Sequence, residues 1–197
     1  MGKNDILVRL NPNLKKLKRG PYGGPQIILP KDIGVVFGYT DLGRNSKIVE
    51  AGSGAGFFTV SLANICKTVY SYEVREDFYI AAKKNIEKMG MKNAKLKNKD
   101  ISKGIKEKNV DAVFLDMPKS DLIVPLAFKA VKENGWIIGY LPNVEQVKEF
   151  YIACEKAGFK DLFVIESINR EWVVREHGVR PQHKGLVHTA FIVFGRR

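Results

Sequence analysis

The sequence predicts an α/β fold, a Rossmann-like, mainly parallel sheet of seven strands that ends in a reversed C-terminal hairpin. Three observations predict it. Apolar runs bounded by turn signals alternate with segments of helical period as far as Gly158. Beyond Gly158 two strand-like runs follow with no confident helix between them. Between them in importance, residues 48–56, Ile-Val-Glu-Ala-Gly-Ser-Gly-Ala-Gly, carry a short apolar strand straight into a turn with glycine at 52, 54 and 56.

In chain order, strands are expected at 46–50, 68–73, 94–97, 110–116 and 136–141. The apolar run 57–65 reads as the helix after the glycine turn. Segment 76–89 places Phe78, Ala81, Ala82, Asn85 and Met89 on one face and stops at Gly90, a helix ended by glycine. Segment 144–157 repeats the pattern and stops at Gly158. The runs 161–168 and 187–194 then read as an antiparallel hairpin. A parallel sheet closed this way is the arrangement of class I methyltransferases and differs from the all-parallel sheet of dehydrogenases.

At 197 residues, with no Ser- or Pro-rich linker, one main domain is expected, at 31–197, preceded by a basic arm at 1–30. The arm holds most of Lys3, Arg9, Lys15, Lys16, Lys18, Arg19 and Lys31 against Asp5 alone, within a chain of net charge +12. A polyanionic partner suits that excess. No apolar run approaches the roughly 18 residues of a membrane span and no signal-like core opens the chain, so a soluble, cytoplasmic protein is expected. Cys66 and Cys154 lack metal-ligand spacing and read as buried small side chains. His177, His183 and His188 are spaced by six and five residues on a loop-like segment without a cysteine or aspartate partner, so no metal site is expected.

The glycine turn is not the GxGxxG of dinucleotide binders. Glu73 follows Gly52 by 21 residues, the interval at which a strand-turn-helix-strand unit brings a carboxylate to the hydroxyls of a bound ribose. Glu50, Glu73 and Asp100 fall at the carboxyl ends of successive strands and would form an acidic rim. Such a rim repels a pyrophosphate and favours a sulfonium nucleoside, so S-adenosylmethionine is expected, with Glu73 accepting from the ribose and Asp100 from the adenine amine. Asp116 closes a buried strand just before Met117-Pro118, where the sheet opens onto the reactive end of the cofactor.

With these residues placed, the chain from Arg19 to Arg197 resembles the tRNA (adenine-N1)-methyltransferase family, which modifies T-loop adenosines 57 and 58. The matching blocks are Gly24-Pro25-Gln26, Pro30-Lys31-Asp32, Val49 to Gly54, Ser71-Tyr72-Glu73, Leu115-Asp116-Met117-Pro118, Tyr140-Leu141-Pro142-Asn143 with Gln146-Val147, and His188-Thr189-Ala190-Phe191. The resemblance implies a cofactor loop of Gly52, Ser53, Gly54, Ala55, Gly56 and Phe57, a ribose acid at Glu73, an adenine-side acid at Asp100 and a catalytic acid at Asp116. Substrate RNA would be met by Lys15, Lys16, Lys18, Arg19, Arg180 and His188, and a homotetramer is implied. The chain departs from the family in three places. Only about 20 residues precede the matching region, where members carry a small β-rich domain; Leu29 stands where an aromatic is common; and Lys119-Ser120 follows Pro118. Two alternatives remain: a small-molecule methyltransferase like those of corrinoid synthesis, and a non-catalytic RNA-binding subunit.

Overall fold

The computed structural model describes residues 12–20, 23–183, 185 and 188–197. Its strands are β1 (Lys47–Ala51), β2 (Thr68–Glu73), β3 (Ala94–Asn98), β4 (Val110–Leu115), β5 (Val131–Leu141), β6 (Lys160–Glu166), β7 (Trp172–Arg175), β8 (Gly178–Pro181) and β9 (Phe191–Arg196). Its helices are α1 (Pro12–Lys15), α2 (Pro30–Tyr39), α3 (Phe57–Ile65), α4 (Glu76–Lys88), α5 (Val124–Ala130) and α6 (Val144–Ala157). Seven strands make one sheet in the order β3-β2-β1-β4-β5-β9-β6, and β7 with β8 makes a separate ribbon. The fold is the expected class I methyltransferase arrangement. β1 pairs in parallel with β2 and β4, which brings their carboxyl ends together at one edge of the molecule. Only β9 runs in reverse, inserted between β5 and β6 and antiparallel to both.

Alternation along β1 shows how the sheet acquires two apolar faces. Ile48 packs with Val36 of α2 and Phe58 of α3 on one side, while Val49 packs with Val124 of α5 and Phe150 of α6 on the other. Phe114, Phe150 and Phe194 are fully buried, each stabilising the fold by about 1.5–3 kcal/mol before entropy is subtracted. Local signals fix the helix ends. Asn143 accepts from the Gln146 N–H at 3.0 Å to start α6, and Gly158, at φ 99°, ends it in the left-handed conformation. Both cysteines are buried and unpaired.

Several expectations need adjusting. β5 starts five residues earlier than predicted, because Lys132 to Gly135 looks like a turn yet forms a bulge, with Asn134 at φ 58° and the register shifting between Val110 and Ala112 of β4. α2 was not expected. The last strand was placed at 187–194 and is observed at Phe191–Arg196; Val187 lies outside the described residues, as do residues 1–11 of the basic arm. Among the described residues no helix is long and apolar enough to cross a membrane.

Candidate active site

The glycine turn is stitched to the two strands beside β1. Gly52 N–H donates to the Tyr72 carbonyl at 3.0 Å, Gly54 N–H to Glu73 Oε2 at 2.8 Å, and Asp116 N–H to the Ala51 carbonyl at 2.9 Å. Gly52 sits at φ 89°, and a Cβ there would overlap the Asp116 carbonyl, so no other residue fits. Gly56, at φ 80°, opens α3 and packs against Ala82 of α4. Beside this turn lies a cleft of about 460 Å³ at the carboxyl ends of β1, β2 and β4. Gly52, Ser53, Gly54, Ala55 and Phe57 line it, together with Glu73, Asp100 and Asp116; Gly56 is not part of the lining. One cleft therefore gathers nearly all of the predicted cofactor residues and the predicted catalytic acid.

The acids differ in how they are held. Glu73 accepts from Gly54 N–H and, through Oε1, from Arg75 N–H at 2.9 Å, which fixes its rotamer and leaves lone pairs facing the cleft. Asp100 accepts from Ser102 N–H at 2.8 Å, and the Ser102 side chain, followed by that N–H, keeps its pKa below the ordinary value. Asp116 makes no side-chain hydrogen bond to any described residue. Burial, and then the Glu50 and Glu73 carboxylates, push its pKa from 3.8 to about 7.

Glu50 is a correction. It was expected on the rim, but it is 1 % exposed, outside the cleft, and its Oε2 accepts from Thr59 and Ser71 hydroxyls, each at 2.6 Å. It points from β1 toward α3, into the core rather than past the strand end. Burial raises its pKa to about 7, against the pull of those two hydroxyls.

Sequence reasoning gave residues 25–28 no part in the cleft and read Arg19 as an RNA contact. Pro25, Gln26, Ile27 and Ile28 form one wall of the cleft, with Pro25 lying over Gly54. Arg19 holds that wall: its Nη2 donates to the Pro25 carbonyl at 2.7 Å. The Gly24-Pro25-Gln26 block was the available signal. Phe78, read as a core residue of its helix, also lines the cleft, with the Arg75 guanidinium 3.8 Å from its ring centroid.

The predicted RNA residues are not brought together. Lys15, Lys16 and Lys18 are exposed on the segment that leads to Arg19. Arg180 lies on β8, its Nη1 3.3 Å from the Pro181 carbonyl, away from the cleft lining. His188 bridges loop ends, with Nδ1 2.6 Å from Glu166 Oε1 and Nε2 3.0 Å from the Pro142 carbonyl. Two acceptors on one ring require both nitrogens to be protonated, and the Glu166 carboxylate raises the imidazole pKa accordingly. Three of the distant sequence blocks do meet. Lys31 Nζ donates to Asp32, to the Ser167 carbonyl and to Thr189, while Tyr140 and Thr189 hydroxyls both donate to Asp32. Asp32 is fully buried in this network, which ties α2 to β5 and to the approach of β9.

Residues 17–195 match the family model described as the tRNA methyltransferase complex GCD14 subunit. The chain belongs to this family. It is 33 % identical to the tRNA (adenine(57)-N(1)/adenine(58)-N(1))-methyltransferase TrmI of Methanocaldococcus jannaschii, over 93 % of this chain and 74 % of that protein. The crystal structure of the tRNA (m1A58) methyltransferase TrmI from Aquifex aeolicus superposes with a TM-score of 0.85 at 27 % identity, over 93 % of this chain and 74 % of that one. A SAM-dependent O-methyltransferase from Thermotoga maritima superposes with a TM-score of 0.84 at 30 % identity, over 88 % of this chain and 67 % of that one. The named relatives are methyltransferases, and the cleft has the lining carboxylates and bare glycine turn that suit that chemistry.

Proposed function

We propose that this protein transfers a methyl group from S-adenosylmethionine to nitrogen 1 of a T-loop adenosine, at position 57 or 58, in tRNA. The observation that carries the reading is Asp116, a carboxylate that makes no side-chain hydrogen bond to any described residue, in a cleft also lined by the Gly52–Gly54 turn. The tRNA methyltransferase relatives support the substrate. The cleft fits the cofactor on its own evidence, since the turn has the bare backbone that a nucleoside needs for close approach and the lining carboxylates suit a sulfonium.

When bound, S-adenosylmethionine supplies an activated methyl group. Glu73 accepts from the ribose hydroxyls, Asp100 from the adenine amine of the cofactor, and the wall from Pro25 to Ile28 excludes water. Nitrogen 1 of adenine is neutral and attacks through its own lone pair, so the protein needs to position rather than deprotonate it. Asp116 accepts a hydrogen bond from the exocyclic amine of the target base, orienting it and stabilising the positive charge that develops on the ring. That nitrogen is hidden within folded tRNA, so the adenosine leaves its stack at a cost of a few kcal/mol. Exposed lysines, among them Lys15, Lys16 and Lys18, contribute phosphate neutralisation. A homotetramer is the assembly we infer, supported by the exposed apolar ribbon of β7 and β8, and the cytoplasm is the compartment.

The direct test incubates the protein with labelled S-adenosylmethionine and unmodified tRNA and maps the methylated nucleoside. Label in 1-methyladenosine at the T-loop is expected; label elsewhere, or none, refutes the assignment. Asp116→Ala should keep cofactor affinity and lose roughly 100-fold or more in methylation rate.

A further inference from the structure

The outermost strand of the sheet and the turn after it carry positive charge that the cleft does not use. Residues 92–108 contain seven lysines against Asp100 and Glu107, a net +5 within a chain of net +12. Both acids are committed elsewhere. Glu107 pairs with Lys97 and accepts from the Tyr72 hydroxyl at 2.6 Å, while Asp100 caps Ser102 and faces the cleft. Lys92, Lys95, Lys99, Lys103, Lys106 and Lys108 are exposed, and none makes an ion-pair contact among the described residues.

Their placement has a direction. β3 is the sheet edge, so Lys95 near its start and Lys99 just past its end lie about 13 Å apart along the strand. Lys99 is itself part of the cleft wall. Lys95 and Lys97 stand opposite Tyr70 and Tyr72 in the parallel register, and Lys95 Nζ lies 5.2 Å from the Tyr70 ring centroid. One or two lysines suffice to keep an edge strand from pairing with another chain. A series that continues beyond the strand, through 99–108, and reaches the mouth of the cleft exceeds that need and matches a polyanion laid along the edge.

We propose that the β3 edge and the following turn form a track for the RNA phosphate backbone that leads to the cleft. The proposal rests on the tRNA methyltransferase reading above and adds where the RNA is gripped.

The test compares three proteins for binding of unmodified tRNA across a range of KCl concentrations: the parent, a track variant K92Q/K95Q/K103Q/K106Q, and a control K129Q/K148Q/K156Q/K160Q that removes the same charge from α5, α6 and β6. Each phosphate contact contributes a log-log slope of about −0.7 to −0.9. The track variant is expected to bind at least about 10-fold more weakly and to lose about 3 from the magnitude of the slope, with the control close to the parent and S-adenosylmethionine affinity by calorimetry unchanged. If the track variant melts early, the pairs K92Q/K95Q and K103Q/K106Q carry the comparison. A folded track variant with the parent's slope, or a control that falls equally, overturns the track while leaving the tRNA reading intact. A parent protein without salt-dependent tRNA affinity instead refutes that reading.

Discussion

Two buried carboxylates set how this protein responds to pH. Asp116 and Glu50 hold protons up to about pH 7, whereas in the unfolded chain they release them near 3.8 and 4.5. Between those limits the native state binds more protons than the unfolded state, so stability is greatest at the acid end of the window and falls as pH rises through 7. Glu50→Gln removes one of the two groups and is expected to flatten that fall. In urea unfolding, its stability relative to the parent should rise by up to about 3 kcal/mol between pH 5 and pH 8; parallel curves would show that Glu50 is ionised throughout. The same logic gives catalysis a pH limb. Asp116 carries the negative charge that stabilises the developing ring cation only when ionised, so kcat/KM for the cofactor, which reports the free enzyme, should climb through about pH 7 and level off above it. Because the Glu50 charge helps to hold Asp116 protonated, Glu50→Gln should move that limb to lower pH. An unmoved limb would uncouple the two acids.

Among the elements, the segment before α2 depends most on one side chain. Asn85 of α4 is 3 % exposed; its Oδ1 accepts from Lys18 N–H at 3.0 Å, and its Nδ2 donates to the carbonyls of Lys18 at 2.7 Å and Ala55 at 2.8 Å. Leu14 and Leu17 complete the attachment against Phe57, Val60 and Ile86. Asn85→Ala strands three backbone groups, and a loss of about 2–4 kcal/mol is expected, with faster amide exchange at Lys18 and weaker cofactor binding because the Arg19–Pro25 tie loosens. Unchanged exchange at Lys18 would show that the leucines alone hold the segment. The sequence foretold Asn85 on the inner face of its helix but not this job, since the partner lies 67 residues away. Strands β1 to β4 and helices α3, α4 and α6 were legible because each has a clear period and a local stop. The ribbon of β7 and β8 was not, because its four-residue strands face solvent and leave no alternating pattern. In the site, Gly52, Glu73 and Asp116 could be read because parallel topology alone delivers strand ends to one edge. Glu50 was misplaced because strand-end position says nothing of which face a side chain takes, and α3 supplies the Thr59 that claims it.

For the molecule as a whole, the open question is what covers the β7–β8 ribbon. Trp172, Val174 and Val179 are 59 %, 75 % and 60 % exposed, and Ile168 beside them is 59 % exposed. A two-stranded ribbon is marginal alone in water, and this one lies outside the seven-stranded sheet. Apolar surface grouped in this way is characteristic of an interface. If the ribbon is where subunits meet, the purified protein should scatter light as a multiple of 22.2 kDa, and W172S/V174S/V179S should drop toward the single-chain mass. The variant's fold should survive, because the main core lies between the sheet and its helices and none of the three residues belongs to it. A parent of single-chain mass would end the homotetramer proposal, whereas a variant that keeps the parent's mass would move the interface to another surface.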